Sequence, residues 1–378
     1  MSKLISPFAN PDPNLVIQEG APQIKRPTKE EVAAFPAEAQ ELLESSRAAQ
    51  KPLLAADQYD LGWLEGRHIL LGGATGPGLG GALATAVLSL GTAASVTIIG
   101  RDLSRSLNYE TGQAMQAEAE ANGWSQRFHW LNDGLALEGK PLEQLLAALK
   151  EAGAGRVVYF NTVAAAISGV LPGYPPIFVK DIADDGLFQW QLKTLSEQEL
   201  KITNFVMGEM AVQFPKVLED NGIVVEASVF ADWRGSLDRI GRDPAQPEYG
   251  RQGAYSGSLY LPKDILQAAT KAAYGTDKLM FDIFYPMMRT RALAFIPGGL
   301  MMAGLIETLM RKEGIRKVDV PELALQALDR VGKALTDGYD NPFPHLDTHD
   351  AHLDTWMFEV AARLNNDENS DFYYKLWT

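Results

Sequence analysis

The sequence predicts an α/β protein built on a doubly wound parallel sheet. Short apolar runs of strand length alternate with longer segments of helical spacing, and a glycine-rich turn follows the first of those runs. No internal repeat or low-complexity tract interrupts the alternation.

Strands are expected at residues 69–71, 95–99, 156–160 and 223–227, with another leading to Trp130 and a late one at 279–284. Helical spacing covers residues 80–90 and 142–152. Ser196-Glu-Gln-Glu199 is a capping box opening a helix through Phe214, and an apolar helix is expected around residues 300–310. Seven prolines punctuate the first 60 residues, where Thr28-Lys-Glu-Glu31 starts one or two short helices ending before Lys51. The expected organisation is an arm over residues 1–60 and a single domain over 61–378.

Composition narrows the function. The 378 residues are 46% hydrophobic and 22% charged, as in an ordinary globular protein. With no cysteine there is no disulfide framework, thiolate zinc site, iron–sulfur cluster or cysteine nucleophile. A net charge of −14 argues against coating nucleic acid. Residues 1–18 do not have the pattern of a secretory signal. The nearly apolar run 292–306 is 15 residues long and broken by glycine and proline, whereas a bilayer span needs roughly 20. A cytoplasmic protein without a membrane span is expected.

The chemistry begins at Gly72-Gly-Ala-Thr-Gly76-Pro-Gly78, where the first strand turns into the first helix. Glycines there let backbone N–H groups approach a pyrophosphate at the helix N-terminus, as in Rossmann-type folds. The spacing is similar to that of short-chain dehydrogenases. The next strand ends at Gly100-Arg101, so a guanidinium stands where an acid would hold the ribose hydroxyls of NAD. This favours NADPH over NADH, against the alternative that Arg101 is a solvated helix-start residue beside Asp102. In short-chain dehydrogenases Asp133 would lie near the adenine, and Asn161 would either line the nicotinamide half or only hold its strand end.

A dehydrogenase with this loop uses a tyrosine as acid and a lysine to assist it. The usual Tyr-x3-Lys spacing does not appear at the expected place, where the sequence instead reads Gly253-Ala-Tyr255-Ser-Gly-Ser-Leu-Tyr260-Leu-Pro-Lys263-Asp. Together with Val206-Met-Gly208, Thr290, Ile296-Pro297, Met310-Arg-Lys-Glu-Gly314 and Leu353-Asp-Thr-Trp356, this segment resembles the FabV-type enoyl-ACP reductases and trans-2-enoyl-CoA reductases. The resemblance spans about residues 67–360. It departs at Tyr255, one position from the family tyrosine, and at Ala227-Ser-Val-Phe230, which lacks the family's second tyrosine.

The resemblance implies an NAD(P)H-dependent reductase of 2-enoyl thioesters, carried by CoA or acyl carrier protein, acting as a monomer. Tyr255 and Lys263 would be catalytic, and Gly72, Gly76, Gly78, Arg101, Asp133, Asn161 and Thr290 would bind the cofactor. Phe230, Leu300 and Met301 would contact substrate, with a helical C-terminal part covering the acyl chain. The residues leave two alternatives: a carbonyl or imine reductase of specialised metabolism, or a catalytically inactive cofactor-binding protein. Arg311, Lys312, Arg316 and Lys317 form a basic cluster that would meet CoA phosphates or an acidic carrier, or simply end a helix in solvent. His345, His349 and His352 lie at metal-ligand spacing but read as a polar surface loop, so no metal is expected.

Overall fold

The computed structural model describes residues 13–22, 26–76, 78–90, 94–100, 106–132, 135–163, 167–173, 176, 178–183, 186–233, 261–274, 279–285, 295–299, 303, 304, 307, 310, 311, 314, 316–338, 341, 342 and 344. The chain runs β1 (Val16–Glu19), α1 (Lys29–Ala55), β2 (His68–Gly72), α2 (Leu79–Ser89), β3 (Ser95–Ile99), α3 (Leu107–Ala121) and β4 (Phe128–Leu131). It continues through α4 (Gly139–Glu151), β5 (Arg156–Asn161), β6 (Phe178–Ala183) and β7 (Gly186–Gln191). After α5 (Glu197–Asn204), a π-helical turn at Phe205–Glu209 leads directly into α6 (Met210–Asp220) and then β8 (Val224–Trp233). The last elements are α7 (residues 261–273), β9 (Leu279–Tyr285) and α8 (Val320–Asp337).

Six strands form one all-parallel sheet in the order β4-β3-β2-β5-β8-β9. The order reverses between β2 and β5, the switch point at which such sheets open a crevice beyond their C-terminal ends. Both faces are covered, so the strands read as apolar runs. On one face Ile69, Leu71, Val96, Ile98, Phe281 and Ile283 pack against Leu83 and Val87 of α2, Met115 of α3 and Leu325 and Leu328 of α8. On the other, Leu70, Val157, Tyr159 and Phe230 pack against Leu145 of α4, Phe214 of α6 and Leu266 of α7.

One irregularity re-aims a whole strand end. Val157 pairs with Val225 but Val158 pairs with Ala227, which leaves Glu226 unmatched in a β-bulge. Val225 therefore faces the α4/α6 side, Ala227 and Val229 face α2 and α8, and Phe230 returns to the α6/α7 side. The bulged Glu226 carboxylate bonds Arg67 at 2.7 Å and also pairs with Arg156, tying the starts of β2, β5 and β8.

The N-terminal region differs from the short helices expected. α1 is one helix of 27 residues that continues through Pro36 and Pro52. An interior proline costs ~3 kcal/mol of helix stability. Burial offsets it: Phe35 and Ala39 pack with Leu107 of α3, Leu43 joins the main core, and Arg47 pairs with Glu118. The Gln50 amide nitrogen donates to Ala82 O at 3.0 Å and to Pro321 O at 3.1 Å, fastening α1 to α2 and to the start of α8. A second, small sheet in the order β1-β7-β6 was not expected; β6 and β7 pair antiparallel, and β1 adds in parallel to β7. No helix among the described residues is long and apolar enough to cross a membrane.

Candidate active site

One register row crosses the C-terminal edge of the large sheet: Leu131–Ile99–Gly72–Asn161–Phe230–Asp282. Three residues expected from the sequence to serve the site, Gly72, Asn161 and Phe230, are thus neighbours on adjacent strands, separated by about 4.8 Å per strand.

The glycine turn sits at the switch point. Gly73 has φ +79°, in the left-handed region, and its N–H donates to Ile99 O at 2.8 Å. A Cβ there would stand 3.1 Å from Val163 N and 3.2 Å from the Thr162 backbone. At Gly80 a Cβ would lie 2.5 Å from Thr162 Oγ1 and 2.7 Å from Ala74 Cα, so α2 can approach β2 and β5 this closely only without a side chain. The Gly78 N–H donates to Gly76 O at 2.8 Å, and Gly78 caps α2 without any side-chain hydrogen bond.

The first-turn N–H groups of α2 are therefore left for another acceptor. Asn108 Oδ1 is buried without a hydrogen-bond partner among the described residues, and a Cβ on Gly76 would lie 3.3 Å from it. A bare helix N-terminus and a turn with no room for Cβ atoms fit a dinucleotide phosphate bridge. Thr162 closes the turn by donating to Gly72 O through its N–H (2.9 Å) and Oγ1 (2.8 Å). Asn161 Oδ1 accepts from Val163 N at 3.0 Å, so this side chain holds its strand end.

Lys263 reaches the same edge from the first turn of α7. Its Nζ donates to Ala231 O at 2.6 Å and lies 3.7 Å from Asp232 Oδ1, with 15% of the side chain exposed. Gln267 Nε2 donates to Asp232 Oδ2 at 3.4 Å, and Thr270 Oγ1 lies 3.1 Å from Asp282 Oδ1. Burial first and the neighbouring Asp232 charge second raise the Asp282 carboxyl, Lys263 and Thr270 lower it, and the net value is about 8. Asp232, Gln267, Thr270 and Asp282 were not found by sequence reasoning. The available signal was Asp282, a lone acid within the apolar run Leu279-Met-Phe-Asp-Ile-Phe.

Phe230, expected at the substrate, is wholly buried and meets Tyr159 edge-on at 6.5 Å between ring centroids. Burial also raises the Tyr159 hydroxyl far above its usual value, and that hydroxyl has no hydrogen-bond partner among the described residues. The Asp181 carboxylate accepts from Trp190 Nε1 at 2.8 Å and from Gly298 N at 3.0 Å. It thereby docks the entry to the late apolar segment on the small sheet. Tyr255, Arg101, Asp133, Thr290, Leu300, Met301 and the three histidines 345, 349 and 352 lie outside the described residues. Of the basic cluster, Arg316 forks onto Glu322 at 2.6 and 2.8 Å and Lys317 pairs with Glu307 at 3.0 Å.

No family model and no curated protein matches the chain. Solved structures do. A trans-2-enoyl-CoA reductase from Clostridium acetobutulicum in complex with NADH aligns with TM-score 0.64 at 13% identity, covering 93% of this chain and 91% of that one. The trans-2-enoyl-CoA reductase from Treponema denticola in complex with NAD aligns with TM-score 0.61 at 14% identity, covering 94% and 92%. The chain has the fold of the trans-2-enoyl-CoA reductases. The likeness extends over nearly all of both chains.

Proposed function

We propose that the protein is an NAD(P)H-dependent reductase that saturates the C=C bond of 2-enoyl thioesters. The observation carrying this reading is the shared edge: a glycine turn fitted to a pyrophosphate at the β2/β5 switch point, with the Lys263 ammonium held at the neighbouring end of β8. The whole-length likeness to reductases of this fold supports it.

In this reading the α2 N-terminus takes the phosphates, Arg101 the 2′-phosphate that favours NADPH over NADH, and Asp133 the adenine end. Asn161 and Thr290 flank the nicotinamide half. A reduced nicotinamide held there would supply hydride for the β-carbon of the enoyl group. Negative charge then gathers on the thioester oxygen, where the Tyr255 hydroxyl donates a hydrogen bond and the Lys263 ammonium adds a fixed positive charge. The α-carbon takes up a proton, which leaves the saturated thioester. Leu300 and Met301 line the acyl chain, and methionine adapts to chains of different shape. The chain carries no cysteine, so the thioester meets no competing thiol of the protein.

The test is oxidation of NADPH and NADH by purified protein with crotonyl-CoA and longer 2-enoyl-CoAs. Enoyl-dependent oxidation that Tyr255→Phe abolishes supports the reading. Nicotinamide binding with no oxidation on any enoyl thioester refutes it.

A further inference from the structure

Asn108, the second residue of α3, sets its side chain against the glycine turn. The amide oxygen is the end nearer the turn: a Cβ on Gly76 would stand 3.3 Å from Oδ1 and 3.7 Å from both Cγ and Nδ2. That oxygen is buried and has no hydrogen-bond partner among the described residues. Capping does not explain it, because Ser106 already caps α3 by accepting from Tyr109 N at 3.1 Å. Two neighbours on the same helix are satisfied within it: Thr111 Oγ1 donates to Leu107 O at 2.8 Å, and the Tyr109 hydroxyl accepts from Gln113 Nε2 at 3.3 Å.

Packing on two sides fixes this placement. Leu107 packs with Phe35 and Ala39 of α1. Gly112 admits the Trp130 indole of β4 so closely that a Cβ there would lie 2.7 Å from Cζ2 and Nε1. An amide oxygen shut away from water without a donor is costly, so its position at this turn suits a ligand that brings a donor. A phosphate brings only acceptors, whereas a sugar hydroxyl brings a donor. In a dinucleotide the adenosine ribose is bonded to the pyrophosphate and lies toward the end of the strand after the glycine turn, here β3, beyond which α3 begins. There the sequence has Gly100-Arg101 in place of the acid that commonly accepts from the ribose hydroxyls.

We propose that Asn108 Oδ1 is the acceptor for the 2′-hydroxyl of the adenosine ribose, and that this contact lets the site hold NADH as well as the NADPH favoured by Arg101. The inference rests on the dinucleotide part of the reductase reading and not on the enoyl substrate. A carboxylate in this place would accept from the same hydroxyl but would repel a 2′-phosphate. The neutral amide accepts without that repulsion, so it adds affinity for one cofactor and no barrier against the other. Selection is thereby divided between two residues. The Arg101 guanidinium attracts the phosphorylated ribose, and Asn108 gives the unphosphorylated ribose a partner of its own.

Calorimetric titration of the full chain with ADP-ribose and with 2′-phospho-ADP-ribose tests this without any turnover, because neither ligand carries a nicotinamide. Asn108→Leu is expected to weaken ADP-ribose about tenfold, the effect of one lost hydrogen bond, and to leave 2′-phospho-ADP-ribose within about twofold of wild type. Asn108→Asp is expected to hold ADP-ribose within about threefold and to weaken the 2′-phosphorylated ligand by about tenfold or more, through like-charge repulsion. Equal loss of both ligands in Asn108→Leu marks a merely structural residue and overturns the proposal. An affinity ratio that Asn108→Asp leaves unchanged overturns it too, and this near-isosteric variant decides the matter if Asn108→Leu does not fold. A wild type that binds neither ligand overturns the dinucleotide site and the proposal together. Failure of the reductase reading alone looks different: both ligands bind and their ratio shifts as stated, while no enoyl thioester is reduced.

Discussion

Gly208 lies directly against Pro262: a Cβ on Gly208 would stand 2.9 Å from the Pro262 carbonyl oxygen and 3.2 Å from its Cα. Gly208 belongs to the π-helical turn between α5 and α6, and Pro262 immediately precedes Lys263. Such turns recur at functional sites because the extra residue shifts the helix face locally. Here the turn seats the first residues of α7, and with them the ammonium at the end of β8.

Gly208→Ala separates two effects of opposite sign. Alanine gains up to about 1 kcal/mol of helix propensity over glycine. Overpacking against backbone costs about 1–3 kcal/mol, because Pro262 O and Cα cannot rotate away. The net expectation is a lowered melting temperature and a larger loss in kcat than in nicotinamide affinity. Thermal melts and steady-state kinetics read both.

Gly80→Ala is expected to lower nicotinamide affinity together with stability. The new methyl would meet Thr162 Oγ1 at 2.5 Å and Ala74 Cα at 2.7 Å, which forces α2 away from the ends of β2 and β5. Overpacking of this kind costs about 1–3 kcal/mol. Fluorescence titration with NADPH and NADH, beside thermal melts, checks the coupling.

Lys263→Met removes the ammonium that lies 3.7 Å from the buried Asp232 carboxylate. Turnover is expected to fall by a factor on the order of 10²–10³, the cost of losing one preorganised donor. Stability is expected to fall by about 3 kcal/mol, the cost of breaking a buried ion pair by removing one partner. Combining it with Asp232→Asn is expected to restore stability without turnover, which a double-mutant cycle reads directly. Lys263→Arg is not expected to rescue activity, since the single 2.6 Å bond to Ala231 O suits a compact ammonium rather than a planar fork.

Asp282 makes stability depend on pH in a definite direction. Its folded-state value is raised to about 8, mainly by burial, while the unfolded chain ionises in the ordinary carboxylate range. The folded protein therefore binds the proton more tightly, and this contribution is complete at acid pH and lost as the pH rises to about 8. Asp282→Asn cannot ionise. The wild type is expected to lose stability relative to this variant across that window, by at most about 1.4 kcal/mol per pH unit. Urea unfolding of both proteins at a series of pH values gives the difference.

Much of the frame was legible in the sequence because local pattern and tertiary demand agree there. Residues 95–99 form β3 as expected, the glycine turn joins β2 to α2, and the Ser196–Glu199 capping box opens α5. Legibility failed where a tertiary contact overrode a local rule. Pro36 suggests a helix break, yet burial of Phe35, Ala39 and Leu43 carries α1 through it. The strand expected at residues 223–227 runs on to Trp233, because the bulged Glu226 interrupts the apolar pattern and is stabilised by Arg67 and Arg156 from other segments. The same bulge hid Asp232, whose facing follows from a register that the sequence does not display.

The most direct measurement is transfer of label from 4-deuterated NADPH and NADH to crotonyl-CoA, with the acyl product located by mass spectrometry. The account predicts one deuterium on the β-carbon of butyryl-CoA in the wild type, and incorporation slower by a factor on the order of 10²–10³ with Lys263→Met. Nicotinamide that binds without delivering label to crotonyl-CoA, or label found on a carbinol carbon, would contradict it.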